Sequence, residues 1–230
     1  MPSNPPALIF DLDGTLTDSK PGILDCLRKT LDAHGITAAG PLDRFIGPPV
    51  EAWTRELLPD GSDEDRVVLA RDYRGCYDHE GWKNNSVFPG VPEMLDALKA
   101  AAHPLFVCTS KQEHFAIRIL DLFELTSFFT AVYGDKLEYP SHSKVDLLAR
   151  LLQERALPKD STWMIGDRSF DFEAAGANHL RSVAAGWGYG SPEEWAQADV
   201  VAAAPADVAR LTAGLSAFIA DSPHISIHRA

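Results

Sequence analysis

The segment LIFDLDGTLTDS, Leu8 to Ser19, most constrains this chain, because it runs a strand-like apolar stretch into two aspartates one residue apart. Two like charges that close repel each other and are costly to desolvate, so a purely structural strand end tolerates at most one of them near a core. Extended geometry sends Asp11 and Asp13 to the same side, and Gly14 and Thr15 then let the chain turn sharply and expose backbone N–H groups. Such a turn suits a cation and an anion together. The plain alternative is a strand closing in an acidic turn, and the rest of the chain has to decide between the two.

At 230 residues the chain is long enough for one α/β domain or for a larger domain carrying a smaller one. Its formal charge of -12 argues against a nucleic-acid polymer as partner, since that affinity rests on neutralising Lys and Arg. A small anionic substrate stays compatible where positive groups gather locally. No apolar window approaches a membrane span, and MPSNPPALIF lacks the basic start and long apolar run of a signal peptide. A cytoplasmic protein without a membrane partner is expected. Cys26, Cys76 and Cys108 are odd in number and form no C-x-x-C pair, so three ordinary, mostly buried thiols are expected, with neither a disulfide framework nor a zinc site.

From Pro89 onward, short apolar runs alternate with amphipathic helical patterns: PLFVCTS, KQEHFAIRILDLFEL, TAVYGD, SKVDLLARLLQERAL, STWMIGD. With LIFD as first strand, this βαβα order predicts a three-layer α/β/α core around a parallel sheet, with RSVAAGW and DVVAAA as later strands and ADVARLTAGLSAFIA as a closing helix. Between Thr17 and Phe88 the patterns are helical, and nothing there reads as a strand. The expected organisation is a core of residues 1–17 and 89–230 with an all-helical insertion, 18–88, whose ends lie beside the acidic turn. NNSVFPGVP is the expected return linker, and the tail after Ser222 has no periodic pattern.

Ligands of open parallel sheets sit outside the carboxyl ends of the strands, so the other strand ends should supply matching groups. LFVC ends in Thr109-Ser110-Lys111, a hydroxyl followed by N–H groups opening a helix, which makes an anion site. Lys144 begins a helix and brings a positive charge. STWMIG ends in Asp167, with Asp171 four residues on, so both acids share one side if a helix starts after Gly166. Singly, each has a structural role open to it as cap, solvated lysine or first-turn acid. Together, carboxylates and a lysine around one point make sense with a hard divalent cation bound by oxygens, and Mg²⁺ and the lysine then offset the repulsion between Asp11 and Asp13.

FDLDGT, VCTS, Lys144 and GDRSFD, in this order over nearly the whole chain, resemble the four motifs of the haloacid dehalogenase superfamily, in the group with a small helical cap. TSK, IGDRSFD and GWGYGSPEE are most similar to its phosphoglycolate phosphatase-like and 5'-nucleotidase-like branch. The resemblance implies Asp11 as nucleophile, Asp13 as general acid and base, and Gly14, Thr109, Ser110 and Lys144 around the phosphate. It implies Mg²⁺ on Asp11, the Asp13 carbonyl and Asp167, supported by Asp171, with the insertion as a lid. Ser110 stands where many relatives carry Asn. The Arg44–Pro49 loop is the expected place for substrate contacts, with Arg44 binding substrate, although it also reads as a Pro-rich helix connector. GWGYG does not fit a dinucleotide-binding pattern and is expected at the site mouth.

The expected partner is a small phosphorylated metabolite, and the expected state is a monomer or homodimer. Competing readings are a dehalogenase, disfavoured by Asp13; a phosphosugar mutase; a phosphonate hydrolase using Lys20, Lys29 or Lys83; and a non-catalytic phosphate-binding regulator.

Overall fold

The computed structural model describes residues 5–48, 50–136 and 143–218, with side chains up to residue 212. The tail after Ser222 lies outside the described residues. Six strands form one parallel sheet: β1 (Ala7–Phe10), β4 (Leu105–Gln112), β5 (Ala131–Asp135), β6 (Thr162–Gly166), β7 (Arg181–Ala185) and β8 (Val200–Ala202). Their spatial order is β5-β4-β1-β6-β7-β8, so the chain steps outward on one side of β1 and then returns to build the other side. A ligand crevice is expected where that order reverses, at the carboxyl end of β1.

Every residue of β1 is buried, as a central parallel strand covered on both faces requires. Leu8 and Phe10 point to one face, with Leu105, Val107 and Ile165, and pack on α4 (Val91–Ala100), α5 (Glu113–Leu122) and α9 (Pro205–Phe218). Ala7 and Ile9 point to the other, with Phe106 and Met164, under α6 (Lys144–Glu154) and α7 (Ser169–Ala177). The three-layer α/β/α architecture expected from the βαβα order is thus present. The short helix α8 (Pro192–Trp195) follows the GWGYG loop.

Between the first and second sheet strands lie α1 (Lys20–Ala33), α2 (Val50–Leu57) and α3 (Asp63–His79), the last opened by Ser62, whose hydroxyl accepts from the Asp65 N–H. These helices have their own apolar core, in which Leu27, Trp53, Leu69 and Tyr77 are buried. Two expectations for this stretch need correction. It is not strand-free: β2 (Thr17–Asp18) pairs antiparallel with β3 (Ser86–Val87), tying together the two chains that enter and leave the helices. A two-residue ladder carries too little pattern to be seen in sequence.

The second correction concerns cysteine. Cys26 on α1 and Cys76 on α3 form a disulfide with Cα atoms 5.6 Å apart, while Cys108 is free and buried. Their separation of 50 residues hides a pairing that exists because α1 and α3 pack side by side. Among the described residues no helix is long and apolar enough to cross a membrane.

Candidate active site

The register of the sheet sets the site. Phe10 is level with Val107 of β4 and Ile165 of β6, so Asp11, Thr109 and Asp167 lie within two residues of those pairs at one end of the sheet, although β4 does not end at Cys108 as expected but runs on through Thr109 to Gln112. The Asp11 N–H still donates to Ile165 O at 2.9 Å, and its Oδ1 accepts the Leu12 N–H at 2.7 Å, which fixes the carboxylate over the strand end. Lys144 reaches in from the first turn of α6 and pairs with Asp11 Oδ2 at 2.9 Å and Asp171 Oδ1 at 2.5 Å.

Asp11, Asp167 and Asp171 are all buried and offer carboxylate oxygens within 4.8 Å of one another. Burial first, and then Asp171 and Asp13, push Asp11 up to about 6 against the pull of Lys144. Burial and the charges of Asp171 and Asp11 hold Asp167 well above the usual carboxylate range. For Lys144, burial works to lower the ammonium, but Asp11 and Asp171 outweigh it and hold it above the ordinary lysine value. One ammonium therefore faces three crowded acids, and an all-oxygen set of this kind fits a hard divalent cation.

α7 begins at Ser169, not directly after Gly166, so Asp167 lies ahead of the helix and helical spacing is not what aligns it with Asp171. Asp171 does accept the Arg168 N–H at 3.1 Å, so its capping role is also present. Gly166 leaves the room Asp171 occupies: a Cβ there would lie 2.1 Å from Asp171 Cγ. Gly166→Ala is therefore expected to cost about 1–3 kcal/mol by overpacking. It should also displace Asp171, which a lowered melting temperature would register.

Asp13 has two unlike oxygens. Oδ2 pairs with Lys111 at 2.9 Å, and Lys111 in turn meets the Tyr77 hydroxyl of α3 at 2.8 Å. Oδ1 is buried and has no hydrogen-bond partner among the described residues. Thr109 is buried, with its Oγ1 accepting the Lys111 N–H at 3.2 Å. Gly14 sits at φ +82°, a left-handed turn that glycine tolerates, and its N–H donates to Thr17 O. Its part is thus the turn itself; as a phosphate donor it is already engaged.

The GWGYG loop closes over these groups, as expected of a loop at the site mouth. Tyr189 N–H donates to Asp167 Oδ2 at 2.8 Å, its hydroxyl donates to Asp18 Oδ1 at 2.9 Å, and Trp187 Nε1 donates to Thr15 O at 2.9 Å. Gly188 lies where a Cβ would be 2.3 Å from both Asp167 Cβ and Gly14 O. The sequence signal for this packing was the density of glycines.

A pocket opens from Asp11 and Asp13 toward the inserted helices, walled by Thr109, Ser110 and Lys111 below and by Phe45, Trp53, Tyr73, Arg74 and Tyr77 above. Arg44 is not among its lining residues. It binds Glu56 at 2.8 Å and the Pro41 carbonyl, and stacks over the Phe45 ring. The structure does not bring Arg44 to this pocket; among the described residues Arg74, a helix away, is the arginine that lines it. Lys20, Lys29 and Lys83 do not line it either; Lys20 and Lys29 pair with Asp43 and with Asp25 and Glu80, and Lys83 lies over Trp82.

The haloacid dehalogenase-like hydrolase profile matches residues 8–185. A tyrosine-protein kinase, PtkA of Mycobacterium tuberculosis, is 39% identical over 190 residues, covering 81% of this chain and 64% of that protein. The chain thus spans just under two thirds of that relative. A 5'-nucleotidase of Pseudomonas aeruginosa is 37% identical over 192 residues, covering 82% of this chain and 86% of the other. In structure, a predicted phosphatase from Clostridium acetobutylicum superposes with a TM-score of 0.85 at 30% identity, over 92% of this chain and 100% of its own.

Proposed function

The chain belongs to the haloacid dehalogenase-like hydrolases, and from that premise we propose that it is a Mg²⁺-dependent phosphatase acting on a small phosphomonoester through an aspartyl-phosphate on Asp11. The observation that carries this reading is the pair Asp11 and Asp13, two residues apart at one mouth and each held by its own lysine, Lys144 and Lys111. Two fixed carboxylates side by side at a pocket are what a nucleophile and a proton carrier require.

In the first step an Asp11 oxygen attacks phosphorus, the bond from phosphorus to the leaving oxygen breaks, and Asp13 gives that oxygen a proton. In the second, Asp13 takes a proton from water as it attacks the aspartyl-phosphate, and the bond between phosphorus and Asp11 breaks to release inorganic phosphate. Thr109, Ser110 and the buried Lys144 would hold the phosphoryl oxygens, in a site whose buried charges act with little screening. Asp11, the Asp13 carbonyl, Asp167 and Asp171 would hold Mg²⁺, which when bound neutralises phosphoryl charge as a Lewis acid. Residues 18–88 would serve as a lid over the leaving group, hinged at the β2–β3 ladder and pinned there by Tyr189.

The test is phosphate release from p-nitrophenyl phosphate, nucleotides, phosphoglycolate and sugar phosphates, with and without Mg²⁺. ATP belongs in the panel because one relative is named a kinase; labelling of tyrosine peptides from ATP without any monoester hydrolysis would overturn the reading. Asp13→Asn is expected to cost about 10² to 10⁴ in rate on alkyl phosphates. The loss on p-nitrophenyl phosphate should be much smaller, since nitrophenolate leaves without a proton. Equal losses on both would remove the proton role.

A further inference from the structure

We propose that Arg168 is a positioning residue: its guanidinium, aimed by Glu194, fastens the loop of residues 45–48 over Asp11 and Asp13 by a hydrogen bond to the Ile46 carbonyl, and the hold on substrate depends on that bond. The inference rests on the phosphatase reading and adds to it the contact that keeps this part of the insertion over the site.

The first ground is what the bond joins. Arg168 lies just past the end of β6, and its Nη1 donates to Ile46 O at 2.7 Å. Ile46 closes the 3₁₀ turn Leu42–Phe45 with extended dihedrals, and its own N–H donates back to Asp43 O, so its carbonyl is the group that faces outward. Its neighbours Phe45 and Gly47 both line the pocket that holds Asp11 and Asp13. Fixing Ile46 therefore fixes that stretch of wall. Among the described residues this is the one hydrogen bond from the loop to the sheet domain.

The second ground is that the donor is set in advance. Arg168 N–H donates to Asp171 Oδ2 at 3.1 Å, and Trp195 Nε1 donates to Asp167 O at 3.0 Å, so the backbone beneath the side chain is held on both sides. Arg168 Nε donates to both oxygens of Glu194, at 3.0 and 3.3 Å, and Glu194 in turn accepts the Ser169 and Ser191 N–H groups. The Arg168 side chain is only 16% exposed. A guanidinium fixed in this way has already lost its rotamer freedom, and its bond to Ile46 is charge-assisted and partly sheltered from water.

The third ground is how closely the loop lies on the core at this point. Gly47 takes φ +105°, and a Cβ on it would be 3.8 Å from Arg168 Nη1 and 3.9 Å from Phe170 Cδ2. The loop thus rests on the Arg168 and Phe170 side chains. A different link between core and insertion, Arg118 to Asp78 at 2.6 Å, joins two exposed side chains, neither of which lines the pocket. Exposed pairs of that kind contribute little, which makes it the control.

The test compares Arg168→Met, which keeps the stem and removes the donors, with wild type and with Arg118→Met, on p-nitrophenyl phosphate with Mg²⁺. Losing the bond lowers the fraction of enzyme with the loop in place, and apparent affinity falls with that fraction. KM is expected to rise about tenfold in Arg168→Met with kcat within about threefold, and to stay within about twofold in Arg118→Met. Hydrogen exchange read by mass spectrometry should quicken about tenfold over residues 42–47 in Arg168→Met and stay unchanged in β6. Glu194→Ala, which leaves the arginine in place but unaimed, should raise KM in the same direction by a smaller factor, and it carries the test if Arg168→Met does not fold. An unchanged KM in Arg168→Met, or in Glu194→Ala where that variant stands alone, would overturn the inference. So would a kcat loss at constant KM with faster exchange in β6, which would make Arg168 a support for Asp167 and Asp171, or an equal KM rise in Arg118→Met, which would spread the effect over the whole insertion. If wild type releases phosphate from no monoester, it is the phosphatase reading that fails; exchange over residues 42–47 then still decides whether Arg168 fastens the loop, and an unchanged rate there would overturn that too.

Discussion

Asp11→Asn should bring phosphate release to background, a loss on the order of 10⁴ to 10⁶-fold. The expectation follows from position as well as chemistry. Asp11 is held by the Leu12 N–H on one oxygen and Lys144 on the other; an amide keeps one of these contacts through its oxygen and gives up the other, while Lys144 stays paired with Asp171. The fold should therefore persist, and removing one of three crowded buried acids should leave the metal-free protein at least as stable as before. What disappears is the anionic oxygen able to form the bond to phosphorus. Acid-quenched wild-type enzyme should carry a hydroxylamine-labile phosphate on the peptide containing Asp11, and the variant should carry none. Retention of more than about one per cent of the rate by the Asp11→Asn protein would rule out the covalent route.

The parts of this site that were legible in the sequence are those that a strand end exposes directly. Asp11, Thr109 and Asp167 each follow an apolar run long enough to be read as a buried strand, and a parallel sheet brings such ends to one edge without further information. Lys144 was legible because a helix start follows the expected crossover. The rest depended on packing between segments distant in the chain. Arg44 and Arg74 both lie in the insertion, yet only the packed arrangement of its segments shows which one lines the pocket. Lys111 was visible only as the third residue of TSK, and its grip on Asp13 requires Tyr77 from α3 at its other side. The Cys26–Cys76 bridge and the β2–β3 ladder are likewise properties of approach, not of local pattern.

Removing metal should make the protein's stability fall as pH rises through the mildly acidic range, and Mg²⁺ should abolish that fall. Asp11 is pushed from its ordinary 3.8 up to about 6, chiefly by burial, and Asp167 is raised well above 3.8 as well. A folded-state pKa above the unfolded one means that the native protein holds a proton the unfolded chain releases. The associated stability is complete below about pH 4 and is lost as pH climbs through about 6. For Asp11 alone the swing is roughly 3 kcal/mol, at about 1.36 kcal/mol for each pKa unit. A divalent cation favours the ionised carboxylates, so its binding must displace those protons and strengthens with pH. At a hundredfold excess over Kd it should add about 2.7 kcal/mol, which for a chain of this size is about 5–10 °C in Tm. In EDTA, Tm should therefore drop between pH 4.5 and 7.5, after allowance for the background slope measured in Asp11→Asn. Added Mg²⁺ should raise Tm strongly at pH 7.5 and little at pH 5, and phosphatase activity lost to EDTA should return with it. A Mg²⁺ shift of the same size at both pH values would show that the cation does not sit on these acids, and no shift at all would remove it from the site.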